Sequence, residues 1–138
     1  MAPSRNGGSG RIKNTGMKNI LIVDDDPVIC SLLKSFLSLK KYHIEYATNG
    51  IDAITTVVKG QVKIVIMDMN VHGMNGVELI KRIHGINPAL KIIAMSGDTS
   101  FDKLPPELKA TIPFIAKPFR LQDIEKLIVN LFPGPEVV

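Results

Sequence analysis

Four short stretches of the chain set acids, a hydroxyl and a lysine directly behind runs of apolar residues. Asp24, Asp25 and Asp26 follow NILIV, Asp68 follows KIVIM, Ser96-Gly97-Asp98 closes on KIIAM, and Lys117-Pro118-Phe119 follows PFIA. Carboxylates crowded at one place repel each other unless a cation joins them, and an all-oxygen donor set with room for waters suits Mg²⁺ or Mn²⁺. A phosphoryl group on Asp68 could then meet metal on one side, the Lys117 ammonium on another and the Ser96 hydroxyl on a third. Phosphoryl transfer asks for little else, because its catalysis is largely positioning and charge neutralisation. Taken singly the residues mean less. Asp26 ahead of Pro27 reads as a helix cap, Ser96 as a turn residue and Lys117 as a solvated lysine.

The elements that must position these groups can be read from periodicity. Short β-branched runs alternate with segments of helical period, the pattern of parallel strands joined by crossover helices. The strand candidates are NILIV (19–23), HIEYA (43–47), KIVIM (63–67), KIIAM (91–95) and PFIA (113–116). The first, third and fourth are nearly continuous apolar runs, as needed where helices cover both sheet faces. The second alternates, His43, Glu45 and Ala47 against Ile44 and Tyr46, which predicts an edge strand. Helical stripes run through Val28, Ile29, Leu32, Leu33, Phe36 and Leu37, through Ile54, Val57 and Val58, through Leu79, Ile80 and Ile83, and through Leu121, Ile124, Leu127, Ile128 and Leu131. Pro105-Pro106 in SFDKLPPELKATIP predicts a fourth helix of only one or two turns. In a doubly wound sheet, ligands bind beyond the carboxyl ends of the strands, where strand order reverses. A flavodoxin-like α/β fold, five parallel strands in the order 2-1-3-4-5 with five helices, brings Asp24 and Asp25 next to Asp68. The first turn, VDDDP, lacks the glycines that would cradle a nucleotide or flavin phosphate.

Length and composition bound the rest. With 138 residues the sequence has room for one domain, here 17–133, a leader over 1–16, native or appended, and a short tail over 134–138. Three of the 17 basic residues, Arg5, Arg11 and Lys13, lie in that leader with no acid, so the remainder is almost balanced, 14 basic against 13 acidic. The basic surplus is therefore no sign of nucleic-acid binding. One cysteine, Cys30, and no apolar run of membrane length fit a cytoplasmic protein with no membrane partner. His43, His72 and His84 read as surface residues, and Cys30 as core packing.

The stretches ILIVDDDP, IVIMDMNVHGMNGVEL, IIAMSGD and IAKPF, in this order, resemble the receiver domains of bacterial response regulators from Lys18 to Phe132. The resemblance implies that Asp68 is the phosphoacceptor, that Asp24, Asp25 and Asp68 itself are metal-binding acids, and that the backbone carbonyl of Asn70 completes the metal shell. It makes Ser96 the switch hydroxyl, Lys117 the phosphate-contacting lysine and Phe114 the switch aromatic. It also implies a cis Lys117-Pro118 peptide, for which the cis form costs only about 0.5–1 kcal/mol. The implied partners are a histidine kinase or phosphotransfer protein and an output partner on the face of the fourth helix, fifth strand and fifth helix. The chain departs from many members with Val71-His72 and Asn75-Gly76 in the loop after Asp68. Two other readings stand beside this one. A metal-dependent phosphohydrolase could use Asp68 as its nucleophile, but it would lack a second acid two residues on, where Asn70 stands. A degenerate receiver working without phosphate would not need the full set of Asp24, Asp25, Asp68, Ser96 and Lys117. On the receiver reading the chain is no enzyme beyond assisting its own phosphorylation and dephosphorylation.

Overall fold

The computed structural model describes residues 18–132; the leader over 1–16 and the tail over 134–138 lie outside them. Five parallel strands form one sheet: β1 (Asn19–Val23), β2 (His43–Ala47), β3 (Ile64–Asp68), β4 (Lys91–Ser96) and β5 (Phe114–Ala116), in the order β2-β1-β3-β4-β5. This is the doubly wound order expected from the sequence. Helices α1 (Pro27–Leu39), α2 (Gly50–Val58), α3 (Gly76–Ile86), α4 (Pro106–Lys109) and α5 (Leu121–Leu131) make the connections. Among the described residues no helix is long and apolar enough to cross a membrane.

The strands alternate their side chains between two cores because successive residues point to opposite faces. Ile20, Ile22, Ile64, Ile66, Ile93 and Met95 pack with α1 and α5 through Cys30, Leu33, Leu37, Ile124 and Ile128. Leu21, Val23, Val65, Met67, Ile92 and Ala94 pack with α2 and α3 through Ala53, Val57, Leu79, Ile80 and Ile83. Every residue of β3 is buried, as its continuous apolar run requires. In the edge strand β2, Ile44 and Ala47 are buried while Tyr46 is exposed, so the simple alternation expected there breaks at its end.

The broad stripe expected on α1 is also corrected. Cys30, Leu33 and Leu37 are buried, Ile29 and Phe36 are half-buried, and Val28 and Leu32 face solvent. At about 100° per residue, Val28 and Leu32 lie opposite the buried trio, and a flat sheet can cover only one side of a helix. Val58 at the end of α2 is exposed for the same reason. Asp26 does cap α1, its carboxylate accepting from the Val28 N–H at 2.9 Å, with Pro27 in the first turn.

The fourth crossover is broken, as its prolines predict. A single 3₁₀ turn (Ser100–Lys103) precedes the one-turn α4, which starts at Pro106. Its contribution to the core is Phe101, Leu104 and, beyond α4, Ile112.

Candidate functional site

Register alone draws the candidate residues together. Val23 pairs with Met67, so Asp24 and Asp68, each one step further, emerge side by side from β1 and β3. Asp68 pairs with Met95 and Ser96 with Ala116, so Ser96 and Lys117 each follow one residue beyond the pairing to their left. The Lys117 N–H donates to the Ser96 carbonyl at 2.8 Å, which continues the ladder to the base of the lysine side chain. The Lys117–Pro118 peptide is cis, as expected.

The three acids converge. One carboxylate oxygen from each of Asp24, Asp25 and Asp68 lies within 4.8 Å of the other two. Asp24 is completely buried, Asp68 nearly so, and Asp25 opens to solvent. Lys117 Nζ reaches into this group and donates to Asp24 Oδ2 and Asp68 Oδ2, both at 2.7 Å. Burial pushes the Asp24 carboxyl above its ordinary value, and the hydrogen bond from Lys117 offsets only part of that. Burial also works against the charge on Lys117, yet its bonds to Asp24 and Asp68 outweigh it and raise the lysine above its usual value. Three carboxylates facing one ammonium leave an excess of negative charge in a hard-oxygen setting. That donor set fits a divalent cation of the Mg²⁺ type.

The loop after β3 is held firmly against the acids. The Asn70 N–H donates to Asp68 Oδ1 at 3.0 Å. Asn70–Val71 and Met74–Asn75 form a short antiparallel hairpin, and Gly73 at its tip takes a positive φ of 86° that favours glycine. The Gly76 N–H closes the loop on the Met69 carbonyl at 2.8 Å. His72 lies in this hairpin, exposed, outside the acid cluster.

Two expected participants engage partners other than Asp68. Ser96 is buried at the end of β4, but its hydroxyl bonds to Asp98 rather than to the acid cluster. Phe114 is 38% exposed and stacks on Phe101, with centroids 4.7 Å apart at 30°. Asp98 itself received no role from the sequence. Its carboxylate accepts from the Ser100 N–H, the Ser96 hydroxyl and the Asn70 amide. Hydrogen bonding, first from the Ser100 side chain and N–H and then from Ser96 and Asn70, holds it well below the usual carboxylate range. The Ser-x-Asp-x-Ser spacing of 96, 98 and 100 is the signal that could have marked it, though in a turn such residues read first as turn formers.

Cys30, as expected, is a core residue. Its thiol donates to the Asp24 carbonyl at 3.3 Å, and burial pushes it up to about 11.

A parallel α/β sheet carrying an acidic, lysine-bridged pocket at its strand-order reversal defines a phosphoryl-accepting module. Residues 20–129 match the model of the response regulator receiver domain. The chain belongs to that family, the receiving half of two-component phosphorelay signalling, whose members are phosphorylated by histidine kinases or phosphotransfer proteins and bind Mg²⁺ at an aspartate cluster. It is 33% identical over 118 residues to sporulation initiation phosphotransferase F of Bacillus subtilis, covering 84% of this chain and 94% of that one. It is 31% identical over 114 residues to the transcriptional regulatory protein ZraR of Klebsiella oxytoca, 82% of this chain but only 25% of that protein. Among solved structures, a CheY-like receiver domain protein from Methanospirillum hungatei superposes with a TM-score of 0.78 at 27% identity, over 84% of this chain and 94% of that one. Response regulator TrrA of Thermotoga maritima, in complex with Mg²⁺ and BeF, superposes at 0.73 with 30% identity, over 84% of this chain and all of that one.

Proposed function

We propose that Asp68 is the phosphoacceptor of this receiver domain, and that Asp24, Asp25, Asp68 itself and the Asn70 backbone carbonyl are the ligands of a Mg²⁺ ion. The observation that carries this is the convergence on Asp68 of two further carboxylates, within 4.8 Å, and of the Lys117 ammonium at 2.7 Å. In the transfer a carboxylate oxygen of Asp68 bonds to phosphorus as the donor's P–N bond, or the P–O bond of a small acyl phosphate, breaks and the leaving group keeps the electron pair. Water later attacks phosphorus, the bond to the Asp68 oxygen breaks with its electron pair left on the carboxylate, and inorganic phosphate departs. The bound metal ion would neutralise charge on the phosphoryl oxygens. Lys117 sits ready to neutralise charge there as well, and the Asn70 N–H fixes the Asp68 carboxylate in place. Support for the metal comes from the donor set here and from the related TrrA, whose structure holds Mg²⁺ and BeF.

The donor must deliver its phosphohistidine over the carboxyl ends of the strands. Beside them, Val28 and Leu32 of α1 are 63% and 51% exposed, and a cleft of about 410 Å³ runs from Ile29 and Leu32 to Pro118 and Phe119. A kinase or phosphotransfer protein presenting its histidine on a helix fits this apolar strip. The output partner binds the face of α4, β5 and α5. The chain spans nearly all of the phosphotransferase relative but about a quarter of the ZraR relatives, so the response of a whole protein built on it is open to either plan. A cytoplasmic site of action accords with one free, buried cysteine. The domain turns over no external phosphate ester; a phosphohydrolase would need an acid where Asn70 stands, and a multiple-turnover assay distinguishes the two.

Intact mass after incubation with acetyl phosphate and Mg²⁺ tests the assignment. One phosphoryl group per chain is expected, with none on Asp68→Asn. Equal labelling of that variant and the parent would remove Asp68 from its role.

A further inference from the structure

We propose that Asp98 is a positioning residue for the chemistry at Asp68: its carboxylate holds the Ser96 hydroxyl away from the phosphoacceptor and competes for it with the incoming phosphoryl group. The inference rests on Asp68 being the phosphoacceptor and adds a residue that sets how readily the phosphorylated state forms.

A serine hydroxyl has one proton to give. That of Ser96 points at Asp98, with Oδ1 at 2.8 Å and the Asp98 carbonyl at 3.2 Å, and the hydroxyl oxygen in turn accepts from the Asp98 N–H at 3.1 Å. Donating to a phosphoryl oxygen on Asp68 therefore requires this proton to leave Asp98. The alternative acceptor is a fixed one. Oδ1 also accepts from the Ser100 N–H at 2.8 Å, and Oδ2 from the Asn70 side-chain amide at 2.9 Å. Asp98 is thus tied to three segments: the end of β4, the start of the 3₁₀ turn, and the loop that follows Asp68. Ser96 is 1% exposed, so water cannot readily stand in for a lost partner. A hydroxyl bonded to a carboxylate is a charge-assisted pair, stronger than a neutral one. Its rupture is a cost charged to every phosphorylation event, and the same bond re-forms when phosphate leaves.

Binding of beryllofluoride with Mg²⁺, followed by calorimetry on the full chain, reads this competition. Asp98→Ala frees the Ser96 hydroxyl, and the dissociation constant is expected to fall by about tenfold. Asp98→Asn keeps the volume and a weaker acceptor, and a smaller tightening is expected; it serves equally if the alanine variant does not fold. Both effects must depend on Ser96, so in a Ser96→Ala background the same substitutions are expected to change affinity by less than about twofold. Tightening that persists without Ser96 would mean that Asp98 acts through its charge or bulk, and would overturn the proposal, as would unchanged or weaker binding in both single variants. Absence of beryllofluoride binding by the unaltered chain would overturn the phosphoacceptor reading itself and this proposal with it.

Discussion

Asp24 is wholly buried beside Asp68 and, among the described residues, has Lys117 at 2.7 Å as its one ion-pair partner, with the Asp26 N–H donating to its other oxygen. A buried carboxylate that loses its partner costs far more than an exposed one, because solvent cannot replace the missing charge. Lys117→Met keeps the apolar stem of the side chain and removes the ammonium. It is expected to lower unfolding free energy by about 2–4 kcal/mol, with part of the loss restored by Mg²⁺, since a divalent cation can take over the compensation. Urea unfolding with and without Mg²⁺ measures both; a loss that Mg²⁺ does not touch would separate the metal from Asp24. Asp25 is the reverse case, exposed and without packing duty. Asp25→Asn relieves repulsion among the three carboxylates, so it is expected not to lower stability in EDTA, and to weaken Mg²⁺ on the order of 10- to 100-fold, read by calorimetry. Unaltered affinity would take Asp25 out of the ligand set.

At the scale of elements, precision comes from how each loop is fastened to the end of its strand. Gly76 begins α3 with its N–H on the Met69 carbonyl, and a Cβ at this position would lie 2.5 Å from that oxygen. Backbone cannot yield as a side-chain tip can. Gly76→Ala is expected to cost about 1–3 kcal/mol and to slow labelling of Asp68, because the displaced segment is the one whose Asn70 N–H orients the carboxylate. Thermal unfolding and the rate of acetyl phosphate labelling check the two parts separately. Much of this level could be read in the sequence. The five strand runs, the Asp26 cap and the proline-broken fourth helix are local patterns with local causes. The exposure of Val28 and Leu32 could not be read that way, since apolar periodicity says a helix has an oily side without saying how much of it the sheet will cover. Nor could the pointing of Ser96 toward Asp98. Residue types at a strand end name the groups within reach of one another, but which of several acceptors a hydroxyl chooses depends on angles set by the folded loop.

Over the whole molecule, a phosphoryl group on Asp68 adds roughly −1.5 to −2 charge and three acceptor oxygens at one edge of a closely packed sheet. The movable donor proposed to respond is Ser96, on the strand next to β3, and its hydroxyl is tied through Asp98 to the start of the 3₁₀ turn. That turn carries Phe101, which stacks on Phe114 of β5, so the path from pocket to far face runs through four named side chains. Packed elements favour two discrete arrangements over a continuum, which lets a small shift of Ser96 become a change in the Phe101–Phe114 stack. The region is built to yield: one 3₁₀ turn and one α-helical turn, anchored in the core by Phe101, Leu104 and Ile112. Phe114, more than a third exposed, is the aromatic expected to turn inward once Ser96 moves toward the phosphate. Amide exchange with and without beryllofluoride and Mg²⁺ is expected to show altered protection from Ser96 through Phe114, and Phe101→Ala to weaken the change at β5 while leaving that at Asp68 in place. Changes confined to the loops of Asp24 and Asp68, with none between Ser96 and Phe114, would mean that phosphate is sensed at the pocket alone and leave α4, β5 and α5 without a part in the response.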